Sequence, residues 1–279
     1  MKIKFEKLIK RDLIFGFENN KYKFLGVALV FIAVIWINII NIQGAAFELG
    51  LSTKDINFID LFFSIFKGID YNVSPLPVNW ILINIYVTYL IGSYCYDDLS
   101  EDSAHVIIRM GHRRDIWISK VIWMIATVIV FYLIILVIIF IFSMTLSGVS
   151  FEWSNFSNAS ILGAIQNNYS SIQLILLIIS IYILSSITMS ILQLIISFIL
   201  KPAYIYLIYI SIIITSLYLK QFIIPIQGSL ILRQNIFDTM YPIDPVNTIA
   251  YNLVVFVSIF IIGSIYIRKF DMLASQKTD

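Results

Sequence analysis

Long apolar runs alternate with short polar stretches along this chain. Six of the runs contain no Asp, Glu, Lys, Arg or His: Phe24–Ile42, Trp80–Tyr96, Val121–Leu146, Ile172–Leu200, Ala203–Leu219 and Thr248–Ile267. A helix rises 1.5 Å per residue, so about 20 apolar residues cross a ~30 Å hydrocarbon core. The pattern predicts an all-α integral membrane protein with six transmembrane helices, forming one transmembrane domain over residues 1–279 with no internal repeat. The second and fifth runs are slightly short, and the fourth is long enough to require tilt. No proline falls inside a run, and Lys201-Pro202 predicts a helix-breaking turn between the fourth and the fifth. Trp80, Trp117, Trp123 and Trp153 lie near predicted helix ends, where an indole suits the membrane–water interface.

Three shorter stretches carry their own patterns. In residues 1–23, Phe5, Leu8, Ile9 and Leu13 recur at helical spacing, with Lys4, Lys7, Lys10 and Arg11 over much of the rest. That predicts a basic amphipathic elbow helix lying on the membrane surface. Ile56–Ile69 gathers Phe58, Ile59, Phe62, Phe63, Phe66 and Ile69 into an apolar face and predicts a second surface-lying helix. Phe222–Leu232 is apolar but interrupted by Pro225 and Gly228, too short to span, and predicts a re-entrant or interfacial hairpin.

Composition agrees with the pattern. The chain is 59% hydrophobic and 13% charged, against about 25% charged residues in soluble chains. Fifteen of the nineteen Lys and Arg residues fall in the two terminal stretches, in Asp97–Lys120 and at Lys201. The positive-inside rule then places both termini in the cytoplasm, and the expected location is the cell (plasma) membrane. The one cysteine, Cys95, leaves no internal disulfide to form.

The runs also limit the chemistry. Ion-coupled carriers and intramembrane hydrolases use ionisable groups inside the bundle, and none lies in the six runs. No glycine is followed by lysine, so there is no phosphate-binding G-x-x-x-x-G-K-[ST] loop. The reading is of a chain that is not an enzyme, binds no cofactor directly and has no nucleic-acid partner. His105 and His112 lie seven apart, too widely spaced for a zinc site, and read as solvated. Within the runs, Asn38, Asn84, Thr88, Ser185, Thr188, Gln193, Tyr206 and Tyr209 are the candidate lining of a path for an amphipathic substrate. The same residue types also serve close helix packing, and both readings stay open.

The segment DDLSEDSAHVIIRMGHRRDIWISK, Asp97 to Lys120, concentrates charge between the second and third runs. Acidic residues open it, as suits a helix N-terminus. Arg113 and Arg114 then precede Trp117 and Lys120 at the membrane edge. Together with the six runs, the basic elbow and the stretch before the last run, this segment resembles the type-2 permeases of bacterial ATP-binding-cassette (ABC) exporters. The sequence likeness rests on RMGHRRDIWISK, Arg109 to Lys120: an Arg, a Gly, a basic pair, then an aromatic and a Lys. The resemblance implies a cytoplasmic coupling helix over residues 99–110, docked on a separate ATPase subunit. Its contact residues would be Leu99, Glu101, Asp102, His105, Val106, Arg109, Gly111, Arg113 and Arg114. It further implies ATP and Mg on that partner, and a second permease copy or paralogue in a homo- or heterodimer. The function expected is export of an amphipathic or apolar substrate (an antimicrobial peptide, toxin, lipid or drug). The competing expectation is a non-transporting membrane immunity, sensing or scaffold subunit, which needs no ATPase.

Overall fold

The computed structural model describes residues 2–52, 56–71, 75–92, 113–146, 150–159, 169–219, 221–237 and 243–269. Among these the chain is all-helical, with no strand. In chain order the helices are α1 (Lys2–Glu48), α2 (Phe58–Phe66), α3 (Val78–Gly92), α4 (Arg113–Leu146), α5 (Asn155–Ala159), α6 (Ser171–Ile196), α7 (Pro202–Tyr218) and α8 (Pro245–Lys269). Two 3-10 turns, Pro225–Ser229 and Ile231–Arg233, lie between α7 and α8. Four helices, α1, α4, α6 and α8, are long and apolar enough to cross a membrane. The other two of the six expected, α3 and α7, are apolar but only 15 and 17 residues long.

Local chemistry sets several boundaries. Ser170 caps α6, accepting from the Gln173 amide while the Gln173 side chain accepts from the Ser170 amide. Such a reciprocal cap satisfies amides that the first helical turn leaves unpaired. Asn57 and Asp60 cap α2 in the same way. At the expected break, Lys201 is extended and Pro202 occupies the first turn of α7, where its missing N–H costs nothing.

Side-chain contacts fix the helix directions. Asn20 on α1 reaches the Leu90 carbonyl at the end of α3, and Asn38 meets Asn79 at its start, so α1 and α3 are antiparallel. Ser119 meets Asp12 and Trp36 packs on Phe142, so α1 and α4 are parallel. Trp117, near the start of α4, packs on Phe198, just past α6, and on Phe260 of α8. The starts of α1, α4 and α7 and the ends of α3, α6 and α8 therefore share one end of the bundle, called the base here. The far end holds α2, α5 and the two 3-10 turns. α6 is the central helix: 67% of its most apolar window is buried, against 17% for peripheral α8.

Three expectations change. The first is the separate elbow. α1 is one unbroken helix of 47 residues, ~70 Å long at 1.5 Å per residue. Leu8, Asp12, Gly16, Asn20, Val27, Phe31, Ile35 and Ile39 form a continuous buried stripe along it. Gly16 does not break the helix; it makes room for the Trp123 indole, which a Cβ would meet at 2.0 Å.

The second is the placement of the tryptophans. Trp80, Trp117 and Trp123 are fully buried between helices, not at an interface. The Trp80 indole N–H donates to Ser229 Oγ at 2.7 Å and that of Trp117 to the Phe260 carbonyl at 3.2 Å. Trp36, inside the first run, is the exposed one, at 58%.

The third is α2, which is buried on almost every side rather than lying on a surface. Its many large apolar side chains pack inside the bundle: Phe66 stacks edge-on to Tyr182, whose hydroxyl donates to the Phe66 carbonyl at 2.8 Å.

Candidate functional site

A cavity of about 750 Å³ opens at the side of the bundle near the base, between α1, α3 and α7. α3 forms its back wall with Ile85, Tyr86, Thr88 and Tyr89. α1 contributes Tyr22, Lys23, Gly26 and Val30, and α7 contributes Tyr206, Tyr209, Ile210 and Ile213. None of these residues is acidic.

The wall is held by a chain of side-chain donors. Asn84 Nδ2 donates to the Trp80 carbonyl, Thr88 Oγ1 to the Asn84 carbonyl and Gln193 Nε2 to the Thr88 carbonyl, each at 2.8 Å. Gln193 thereby ties α6 to the end of α3. Gly92 permits the approach: a Cβ there would lie 2.8 Å from Gln193 Nε2 and 2.9 Å from the Tyr206 ring and hydroxyl. The Tyr209 hydroxyl donates to the Met189 carbonyl at 2.5 Å, fixing α7 against α6. These internal bonds use the side-chain donors around an apolar space, while Gln193 Oε1 is buried without a hydrogen-bond partner.

The residues expected along a substrate path therefore divide. Thr88, Gln193, Tyr206 and Tyr209 meet at this corner, with Thr88, Tyr206 and Tyr209 lining the cavity. Asn84 spends its amide within α3. Ser185 is buried in α6 with no hydrogen-bond partner for its hydroxyl. Thr188 joins α6 to α8 through the Asn252 carbonyl at 3.2 Å. Asn38 stands at the far end, exchanging amide hydrogen bonds with Asn79 at 3.0 and 3.3 Å. It lines a second cavity of about 760 Å³ with Asn41, Ser64 and Lys67. None of these four lines the cavity at the corner.

Of the expected coupling residues, Leu99, Glu101, Asp102, His105, Val106, Arg109 and Gly111 lie outside the described residues. Arg113 and Arg114 open α4; Arg114 is exposed and Arg113 half-buried. Beside them, Asp12 and Lys120 are both buried and paired at 3.4 Å.

The sequence pattern passes over Tyr22, Lys23, Tyr86 and Tyr89. Tyr86 and Tyr89 lie one turn apart on α3, and Lys23 immediately precedes the first run, but only the fold brings them together. The pattern gives Arg233 no role either. It is fully buried and its guanidinium donates to the carbonyls of Ser216, Leu217 and Leu219, closing the C-terminus of α7. Its charge complements the negative end of that helix. Among the described residues no group of three or more His, Cys, Asp or Glu could hold a metal. Comparison with protein-family models, with curated proteins and with solved structures finds no match for this chain.

Proposed function

We propose that this chain is the membrane-spanning permease subunit of an ATP-driven exporter of the ABC type. In this reading all six apolar helices cross the cell membrane, α3 and α7 included, with the base facing the cytoplasm. A separate ATPase subunit supplies ATP and Mg, and a second permease copy or paralogue completes the transporter. The substrate is amphipathic or apolar, such as a peptide, toxin, lipid or drug.

The observation that carries the reading is a juxtaposition. Residues 93–112 join the end of α3 at Gly92 to the start of α4 at Arg113, and both helix ends lie at the base. α3 is also the back wall of the lateral cavity. A motor pulling on this connecting segment would move the wall that carries Tyr86, Thr88 and Tyr89 relative to α1 and α7. Substrate would enter sideways and leave when the wall shifts. The tyrosine-lined apolar space suits such a substrate, since binding pockets of this size combine apolar walls with a few oriented polar groups.

The test is a pair of substitutions in the connecting segment. In cells co-expressing the chain's genomic neighbours, an ATPase should co-purify, and Val106→Asp and Arg109→Glu should each reduce that co-purification at least tenfold, with membrane insertion unchanged. Undiminished co-purification of both variants would remove the coupling role from this segment.

A further inference from the structure

We infer that the far-end cavity around Lys67 binds one anionic amphiphile, a lipid with a single charged head. The inference rests on the membrane-spanning reading but needs neither transport nor an ATPase. The cavity of about 760 Å³ lies between α1, the start of α3 and the chain that follows α2. A smaller one of about 260 Å³ shares Asn38, Asn41, Ser64 and Lys67 with it. Lys67 is the C-cap of α2. A lysine there ordinarily turns back onto the last carbonyls of its own helix. Here other groups hold them. Asn79 Nδ2 donates to the Ser64 carbonyl at 3.1 Å, the Tyr182 hydroxyl to that of Phe66 at 2.8 Å and the Leu232 amide to that of Lys67 at 3.0 Å. The Lys67 side chain is exposed and lines the cavity instead.

The acidic residues around this space are engaged elsewhere. Asp60 accepts from Ser154, from Ser157 and from the Asn57 amide. Asp70 accepts from the Tyr71 amide at 2.6 Å, and its charge acts on the Arg233 guanidinium. Among the described residues no carboxylate pairs with Lys67. The exposed amide of Asn41, on the same rim, makes no side-chain hydrogen bond among the described residues either. Nearer the base the wall turns apolar, with Val34 on α1 and Leu82 on α3. Ile37 and Val78, 56% and 58% exposed, open it to the side, where a membrane presents hydrocarbon. An anionic head at Lys67 and Asn41, with its acyl chain laid over Val34 and Ile37, matches both halves of the space. A small soluble anion would leave the apolar slot empty. An uncharged amphiphile would leave the ammonium unmatched.

Lys67 supplies a clean variant, because the hydrogen bonds it makes to the fold run through its backbone. The measurement is native mass spectrometry of the full chain in mild detergent, offered equal phosphatidylglycerol and phosphatidylcholine of identical acyl composition. The wild type should retain phosphatidylglycerol about fivefold over phosphatidylcholine, the discrimination expected of one cation near a membrane surface. Lys67→Met should bring the ratio near one, and Lys67→Arg should preserve it. Ile37→Trp, at the side opening, should lower retention of both lipids. Free glycerol phosphate, added at the lipid concentration, should displace neither lipid. Elution volume and helical signal, unchanged in the three variants, control for folding. Equal retention of the two lipids by the wild type would overturn the inference. So would a phosphatidylglycerol preference that survives Lys67→Met, which would place the lipid elsewhere. Displacement by glycerol phosphate would also overturn it, in favour of a site for a soluble anion.

Discussion

Asp12 and Lys120 form an ion pair at 3.4 Å with both side chains only 1% exposed. They join the parallel helices α1 and α4 at the base of the bundle. Asp12 also accepts from Arg11 and from Ser119, each at 2.7 Å. Removing one member of a buried pair leaves the other charge uncompensated, at a cost of about 3–5 kcal/mol. The two members are not equivalent here. Asp12→Ala removes the carboxylate that Lys120, Arg11 and Ser119 share and should lower stability by about 3 kcal/mol. Lys120→Met leaves Asp12 with Arg11 and Ser119 and should cost clearly less. Thermal unfolding followed by fluorescence-detected size exclusion orders the two; an equal or reversed order would deny Asp12 its central place.

Helix contact at the base depends on two glycine–tryptophan approaches. A Cβ on Gly16 would lie 2.0 Å from Trp123 Nε1, and one on Gly263 2.3 Å from Trp117 Cζ2. Both indoles are fully buried. Gly16→Ala and Gly263→Ala should each destabilise by about 1–3 kcal/mol through overpacking. Gly26→Ala, facing open space, should match or exceed the wild type, because helix propensity favours alanine. The same unfolding measurement reads all three.

At the far end, Arg233 closes the last turn of α7 through three carbonyls. A hydrogen bond from a charged donor contributes about 1.5–3 kcal/mol. Arg233→Met should cost at least that much and expose the end of α7 to hydrogen exchange. Arg233→Lys, with its charge but no planar fork, should fall between. Exchange confined to other segments would refute the capping role.

Asp60 makes stability depend on pH. Burial pushes its carboxyl above the ordinary range, against the opposing hydrogen bonds of Ser157, the Asn57 amide and Ser154. A carboxyl that holds its proton more tightly in the folded chain favours folding at low pH. That contribution is complete below the unfolded value near 4 and is lost as pH rises through the raised folded value. Asp60→Asn should flatten this dependence. The check is the melting temperature of both proteins across that range; parallel curves would contradict it.

Much of this architecture is legible in the residues alone. The apolar runs become α1, α3, α4, α6, α7 and α8, and Lys201-Pro202 is the turn it predicts. Period and length carry such information because they act within one helix. Partnership between helices does not show in that way. Trp80, Trp117 and Trp123 have the composition of an interface belt, yet they are buried because Ser229, Gly263 and Gly16 stand opposite them. The basic N-terminal stretch has the pattern of a surface helix. Its Asp12, Gly16 and Asn20, four residues apart, extend the packing stripe instead and carry α1 through without a break. For the candidate path, residue type selected Thr88, Gln193, Tyr206 and Tyr209, which the fold gathers at one corner, with the same weight as Asn38 and Thr188, which it places elsewhere; residue type alone carries no information on that grouping.

The central claim is that this chain works with a separate ATPase. The most direct test is to purify it, in mild detergent, from cells that co-express its genomic neighbours. The account predicts that an ATP-hydrolysing subunit co-purifies at a fixed stoichiometry. Purification of the chain alone, with no ATPase and no nucleotide-dependent activity in the sample, would contradict it and favour a non-transporting sensing, immunity or scaffold role.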